Sequence, residues 1–405
     1  MAETRTLKIG IAGLGVGSTQ IIPAMAQMPG MQLVAAADFR KDALETFKQK
    51  YGGRAYDTVE KLCEDPEVEA VWVSTPNQFH CEHVLAAAGR GKHVVVEKPM
   101  ALSLAECEKM VSAAEKNKVK LLCGHTQSFN PAIRAMRKVV KSGELGRLCA
   151  LHTWMYTDWM LRPRMPAELD LKLGGGVVYR QGPHQIDTIR LLGGGMVRSV
   201  RAMTGQWMGE RPAPGYYSAF LEFEDGTPAV VVYNGYGYFD TSELTWAVGE
   251  RHYNPEERAR VRRELRNKTL DEEKAKEAMR FGGKREGEFS HGATAQEDRA
   301  RRGIQGGGSF FGITLVTCER GDIRQSRDGI YVYSDEGQKE LPITGRSASR
   351  FSELNELYEA VTEDRPVYHD GRWGMATLEV CLAIMQSARE RREIRLTHQS
   401  PTSDN

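Results

Sequence analysis

What this 405-residue sequence lacks already restricts its class. No stretch approaches the roughly 20 consecutive apolar residues that a spanning helix needs, so no membrane partner is expected. Cysteine is sparse: Cys63, Cys81, Cys107, Cys123, Cys149, Cys318 and Cys381 are scattered, odd in number and never in a CxxC pair, a pattern of reduced core thiols and not of a disulfide framework. His80 and His83 stand three apart and Cys123 precedes His125 by two, but no second cluster at ligand spacing accompanies them, and no metal is expected. Charge of one sign is missing too. With 55 Lys and Arg against 54 Asp and Glu, the net charge is +1, and nucleic acid is not an expected partner. Met1 to Thr6 has the shape of neither a secretory signal nor a transit peptide, which makes the cytoplasm the expected address.

What is present is the composition of a globular protein, 40% hydrophobic and 27% charged, in a chain too long for one ordinary core. Two domains are expected. In residues 1–125, apolar runs at Leu7–Ala12, Gln32–Ala37, Ala70–Ser74, His93–Glu97 and Lys120–Gly124 alternate with helical stretches, which predicts a doubly wound α/β domain on a parallel sheet. Ser103, three residues before Glu106, reads as the capping box of the following helix. After Asn130-Pro131 come longer alternating runs, Leu148–Tyr156, Val197–Thr204, Ser218–Phe223, Val230–Tyr236, Phe311–Cys318 and Ile323–Gln325. They predict a second, α+β domain over residues 126–395, built on an open, largely antiparallel sheet and closed by helical periodicity from Ser349 to Glu390. A polar insert at about 250–308 reads as a solvated helical arm with i,i+4 ion pairs, in preference to a lid or subunit contact, and residues 396–405 read as a flexible tail.

Three blocks carry chemistry. In the first, Lys8 to Ser18 form a strand, a glycine turn and a helix start: Gly13 permits the tight turn, Gly15 lets backbone approach a pyrophosphate, and Ser18 fills the third small position. Free amides after Val16 and Gly17 would hold the phosphates. Asp38, ending the second strand, would bind the adenosine ribose and repel a 2′-phosphate, which favours NAD over NADP; Arg40 could instead stack on adenine or meet a phosphate. The second block is the turn Ser74-Thr75-Pro76-Asn77, placed beside the nicotinamide end together with His80; Asn77 also reads as a cap for the helix from His80 to Gly89. On the same side Glu97-Lys98-Pro99 ends a buried strand, where a lysine is costly unless something uses it. The third block is Gly174 to Asp187, in which glycines permit close approach and a helix starting near Pro183 puts His184 and Asp187 on one face. A neutral imidazole at His184 suits proton transfer near neutral pH.

Gly13-Leu14-Gly15, Thr75 to His80, Gly91 to Pro99, Phe129-Asn130-Pro131 and Gly174 to Asp187 together resemble the Gfo/Idh/MocA family of oxidoreductases, in which a Rossmann domain precedes an open antiparallel-sheet domain. The resemblance implies that Lys98 is the catalytic lysine and His184 the acid/base histidine, in a dimer or tetramer. Many family members carry an aspartate four residues before that histidine; this chain has Arg180. An arginine cannot serve as a base, but it can clamp a carboxylate with two nitrogens. With Arg162 and Arg164 upstream, the variant resembles the branch that includes the phthalate 4,5-cis-dihydrodiol dehydrogenases.

The expected activity is therefore oxidation of a carboxylated cis-dihydrodiol by NAD, with NADP possible. Lys98 and His184 would share the proton chemistry, Arg180 with Arg162 or Arg164 would hold the ring carboxylate, and His125 and Gln127 would form the pocket wall. Two alternatives remain: a sugar or cyclitol dehydrogenase of the same family, and a nucleotide-binding sensor without turnover.

Overall fold

The computed structural model describes residues 5–245, 255–284, 311–343 and 349–403 of the chain. Six strands, β1 (Leu7–Ala12), β2 (Met31–Ala37), β3 (Arg54–Tyr56), β4 (Ala70–Val73), β5 (His93–Glu97) and β6 (Leu121–Gly124), form a parallel sheet in the order β3-β2-β1-β4-β5-β6. The runs Ile9 to Ala12, Ala70 to Val73 and Val94 to Val96 are buried because helices cover both faces of the sheet, so neither face needs polar side chains. This order places the reversal between β1 and β4, and ligands bind outside the carboxyl ends of the strands at such a switch point.

A second sheet of nine strands is built from β7 (Leu148–Tyr156), β8 (Val197–Gly205), β9 (Tyr216–Phe223), β10 (Pro228–Asn234), β11 (Ile313–Cys318), β12 (Gly321–Gln325), β13 (Gly329–Ser334), β14 (Gly337–Pro342) and β15 (Ile394–Arg395), in the order β14-β13-β12-β11-β7-β10-β9-β8-β15. Its pairs are antiparallel except β10 with β7. Alternation is clean: Leu151, Thr153 and Met155 face a core covered by helices, while Trp154, Phe220 and Met203 stand exposed on the other face. The long helix Gly371–Glu390 packs on β8 and also touches the first domain's helix Leu104–Lys116, so it is common to both halves. No helix among the described residues is long and apolar enough to cross a membrane.

Three expectations are corrected. Residues 396–403 are docked, not flexible: Leu396 is buried, Gln399 donates to the Ala376 carbonyl at 3.0 Å, and the Thr402 amide donates to Gly194 at 3.0 Å. The insert is more than a solvated arm. Within its described part, 255–284, Lys276 and Phe281 are buried, and Phe281 joins the first domain's core beside Phe47 and Tyr51. Its glycine-rich stretch 285–308 lies outside the described residues. Finally, the helix Ser349–Thr362 returns to the first domain, where Leu354 and Leu357 pack with Leu7 and Ile22, so that domain is not built from residues 1–125 alone.

The tail is held by Arg190, which is fully buried. Its guanidinium donates to the carbonyls of Gly195 at 3.2 Å, Trp373 at 3.0 Å and Ser400 at 3.1 Å, and lies 3.8 Å over the Trp373 ring. Arg190→Met keeps the apolar stem but leaves buried acceptors unpaired, each of which costs about 1–3 kcal/mol. A stability loss of about 3 kcal/mol or more is expected, checked by the urea midpoint and by faster proteolysis of the C-terminal residues.

Candidate active site

Strand ends of the first sheet converge on one cleft. After β1, Gly13 turns at φ +90°, and a Cβ there would lie 2.8 Å from the Ser74 carbonyl oxygen; Gly15 has open space to 3.9 Å. The Ser18 hydroxyl donates to the Gly13 carbonyl, fastening the turn to the start of the helix Ser18–Gln27. This cradle, which side chains would fill, fits the phosphates of a dinucleotide, with the first amides of the helix as donors.

Asp38 sits where β2 ends. Its Oδ2 accepts from the Leu14 amide at 2.7 Å and its Oδ1 from the Arg40 amide at 2.8 Å, which holds the carboxylate at the adenosine side of the turn. The Arg40 side chain folds back onto Asp38 at 3.3 Å and onto the Leu14 carbonyl.

After β4, the loop is fastened from within. His80 is buried with Nδ1 2.9 Å from the Pro99 carbonyl and Nε2 2.8 Å from the Thr75 carbonyl, so its ring spans the two turns and offers no spare nitrogen to a cofactor. Burial lowers its pKa below the ordinary histidine value. Thr75 is held by His83 at 2.9 Å. Asn77 does not cap the helix His80–Gly89; its Nδ2 donates to the Gly174 carbonyl at 3.3 Å and joins this loop to the glycine-rich block of the second domain.

The Glu97 carboxylate turns into the first domain, where it meets Trp72 Nε1 at 3.4 Å and Arg350 at 3.3 Å. Lys98 faces the other way. Its Nζ donates to the carbonyl of Arg180 at 2.9 Å. Arg180 ends the short helix Gly176–Arg180, and the chain re-enters helix at Gly182–Leu192, which carries His184 one turn beyond. Lysine, arginine and histidine are thus gathered by one junction between helices.

Arg180 itself is largely enclosed. Its Nε donates to Gly174 at 3.3 Å, whereas its two terminal nitrogens make no hydrogen bond among the described residues. Burial lowers its pKa from the ordinary value and the charge of Glu168 opposes that shift. The His184 ring lies 5.2 Å from that of Phe311. Its neighbour on the helix face, Asp187, is buried and accepts from Trp373 Nε1 at 2.6 Å, so Asp187 serves the framework.

Of the pocket-wall residues, His125 is buried after β6. Burial pushes its pKa down to about 4, with the Asp187 charge opposing, so the imidazole is neutral; neither ring nitrogen has a partner among the described residues. Such a group gains when a bound molecule supplies the missing hydrogen bond. Gln127 is half-buried in the next turn. The two upstream arginines part company with the expectation. Arg164 is buried, 3.7 Å over the Trp159 ring and 3.2 Å from Glu168, and is committed to the framework. Arg162 pairs with Asp158 at 3.0 Å, which is shared with Arg258 at 3.5 Å.

Residues 7–125 match the family model described as the oxidoreductase family, NAD-binding Rossmann fold, and residues 133–252 match that of the GFO/IDH/MocA C-terminal domain. The chain belongs to the Gfo/Idh/MocA family. Within the family, the 1-carboxy-3-chloro-3,4-dihydroxycyclohexa-1,5-diene dehydrogenase of Comamonas testosteroni is 35% identical over 95% of each chain. The myo-inositol 2-dehydrogenase of Thermotoga maritima is 32% identical over 48% of this chain and 58% of its own. A structure described as that of a dehydrogenase from Bordetella bronchiseptica RB50 superposes with a TM-score of 0.87 at 38% identity, covering 96% of this chain and 100% of its own. The WlbA dehydrogenase of Bordetella pertussis, in complex with NADH and UDP-GlcNAcA, shares the fold at a TM-score of 0.70 and 19% identity, over 97% of this chain and 99% of its own. This Gfo/Idh/MocA member is an NAD(P)-dependent dehydrogenase.

Sequence reasoning missed Glu168, Lys276 and Arg350. The Arg164 to Glu168 spacing of four was visible, but Lys276 and Arg350 reach the site from more than 100 and 250 residues away respectively, and no local pattern carries such pairings.

Proposed function

We propose that this dehydrogenase uses NAD⁺ to oxidise a carboxylated cis-dihydrodiol, of the phthalate 4,5-cis-dihydrodiol type, to a catechol. The observation that carries the reading is Arg180: a guanidinium whose terminal nitrogens have no partner among the described residues, on the residue whose backbone carbonyl accepts from Lys98. A half-buried cation with open terminal nitrogens suits an anion, and its planar fork matches a carboxylate. The substrate named for the Comamonas relative carries a carboxylate on a dihydroxycyclohexadiene ring, which supports the same class.

The nicotinamide, when bound, supplies the hydride acceptor. Gly13, Gly15 and the helix after Gly17 would hold the phosphates, and Asp38 the ribose. Arg40 is paired with Asp38 and the Leu14 carbonyl, and the carboxylate at Asp38 would repel a 2′-phosphate, which supports NAD over NADP. Arg180 orients the ring through its carboxylate, with His125 and Gln127 along the wall. Lys98, steadied by the Arg180 carbonyl and acting as the neutral amine, takes the hydroxyl proton of the carbinol as its C–H leaves as hydride, and His184 passes that proton on. The ketone left behind tautomerises to the catechol, so the net change is loss of two hydrogens and gain of aromaticity. We place the enzyme in the cytoplasm as a homo-oligomer, for which the exposed Trp154, Phe220 and Met203 on the outer sheet face provide a surface.

Arg180→Gln tests the clamp. Loss of a charge-assisted pair, about 1.5–3 kcal/mol, should raise KM for the carboxylated diol roughly 10- to 100-fold with kcat little changed. Steady-state kinetics with an unchanged KM would contradict it.

A further inference from the structure

Arg180 has an acidic neighbour that does not pair with it. Glu168 is nearly buried and close enough for its charge to act on Arg180. Its oxygens, however, are taken by others: Oε1 accepts from Arg164 at 3.2 Å and from Lys276 at 3.0 Å, and Oε2 accepts from the Met165 amide at 2.8 Å. Burial alone would raise the Glu168 carboxyl, yet Arg164, Lys276 and Arg180 together hold it well below the usual carboxylate range, so it is ionised at neutral pH.

Lys276 belongs to the insert. It lies on the helix Glu272–Glu277, whose first residue is tied to the second domain by Arg211 at 2.7 Å and by the Arg164 amide at 2.9 Å. Four residues beyond the helix, Phe281 is buried against Phe47 and Tyr51 of the first domain. The described part of the insert therefore reaches from the Arg164–Glu168 pair to the first domain's core, and Lys276 is the insert side chain that holds Glu168.

We propose that Lys276 is a positioning residue for substrate: by holding Glu168, it prevents that carboxylate from pairing with Arg180 and keeps the guanidinium fork open to a substrate carboxylate. An ionised Glu168 that loses Lys276 keeps Arg164 and the Met165 amide, and the nearby cation whose terminal nitrogens still lack partners among the described residues is Arg180. The pairing would satisfy both groups internally, and a substrate would then have to displace it. The inference rests on the reading of Arg180 as the carboxylate clamp.

A four-variant cycle tests it, with two readouts: KM and kcat for the carboxylated cis-dihydrodiol, and calorimetric binding of phthalate against its dimethyl ester in the presence of NADH. Lys276→Met should raise KM and the phthalate Kd about tenfold with kcat within twofold. Glu168→Gln should leave both at or below the wild-type values. The double variant should return to the Glu168→Gln values, because the competing carboxylate is gone; a merely structural role for Lys276 gives no such rescue. Lys276→Arg, which keeps the charge, should behave as wild type. Should Lys276→Met fail to fold, comparison of the double variant with Glu168→Gln still decides, since removing both members of a buried pair is far milder than removing one. An unchanged KM in Lys276→Met, or a raised KM that Glu168→Gln does not restore, overturns the proposal while a raised KM in Arg180→Gln keeps the clamp reading. If Arg180→Gln also leaves KM and phthalate binding unchanged, the clamp reading itself falls, and this inference with it.

Discussion

Lys98→Met is expected to lower kcat by roughly a thousandfold, with NADH binding retained, because a positioned acid/base group contributes about 10²–10⁴ to rate. The residue ends a buried strand whose register with β4 and β6 fixes the backbone at Glu97, and its Nζ is held 2.9 Å from the Arg180 carbonyl. That contact predicts a second, separable effect. Methionine leaves the Arg180 carbonyl without its donor, so stability should fall as well, by about 1–3 kcal/mol. Lys98→Arg separates the two: it restores a donor to the carbonyl but cannot accept a proton at neutral pH. The arginine variant should therefore melt near the wild type while staying nearly inactive. Stopped-flow formation of reduced nicotinamide, with fluorescence titration of NADH as the binding control, checks both. A Lys98→Met enzyme within tenfold of wild type would assign the proton chemistry to His184 alone.

Gly13→Ala should weaken cofactor binding about 100-fold or more and destabilise the apoprotein. The methyl group would arrive 2.8 Å from the Ser74 carbonyl oxygen and 2.9 Å from the Thr75 nitrogen, both backbone atoms at the end of β4. These cannot swing aside as a side-chain tip would. The residue also holds φ at +90°, which costs a residue with a Cβ about 1–3 kcal/mol. Relief requires the turn to move, and with it the amides that would meet the phosphates; about 2.7 kcal/mol corresponds to 100-fold in affinity. Gly15→Ala provides the contrast. Its nearest neighbour is 3.9 Å away, so the apoprotein should keep its thermal midpoint and lose affinity only through the approach of the pyrophosphate. Calorimetric NAD⁺ titrations and melting curves of the two variants distinguish a turn that must bend from a surface that must stay bare.

The parallel strands β1, β2, β4, β5 and β6 were legible because burial on both faces leaves a nearly unbroken apolar run, and the Ser103–Glu106 capping box forms as its spacing predicts. β3 was not, because Arg54–Tyr56 is a three-residue edge strand with no buried position to mark it. In the site, the blocks were readable while their partners were not. Nothing local says that Lys98 will meet a carbonyl 82 residues on, or that Asn77 will reach Gly174 and not cap its own helix. Arg162, Arg164 and Arg180 look alike in sequence; only the fold shows Arg164 stacked on Trp159 and paired with Glu168, and Arg180 with open nitrogens. The tail misled for a similar reason: residues 396–403 are polar because they hydrogen-bond to Arg190, Glu379 and the Gly194 turn, not because they are solvated.

The central claim, that Arg180 selects a carboxylated diol, is tested most directly by initial rates of NAD⁺ reduction with the wild-type enzyme. The substrates are phthalate 4,5-cis-dihydrodiol, its dimethyl ester and myo-inositol. The expected result is a kcat/KM for the free acid that exceeds that for the ester by about 10- to 100-fold, the value of one charge-assisted clamp, with accumulation of a catechol. Equal rates with acid and ester, or turnover of inositol alone, would contradict it.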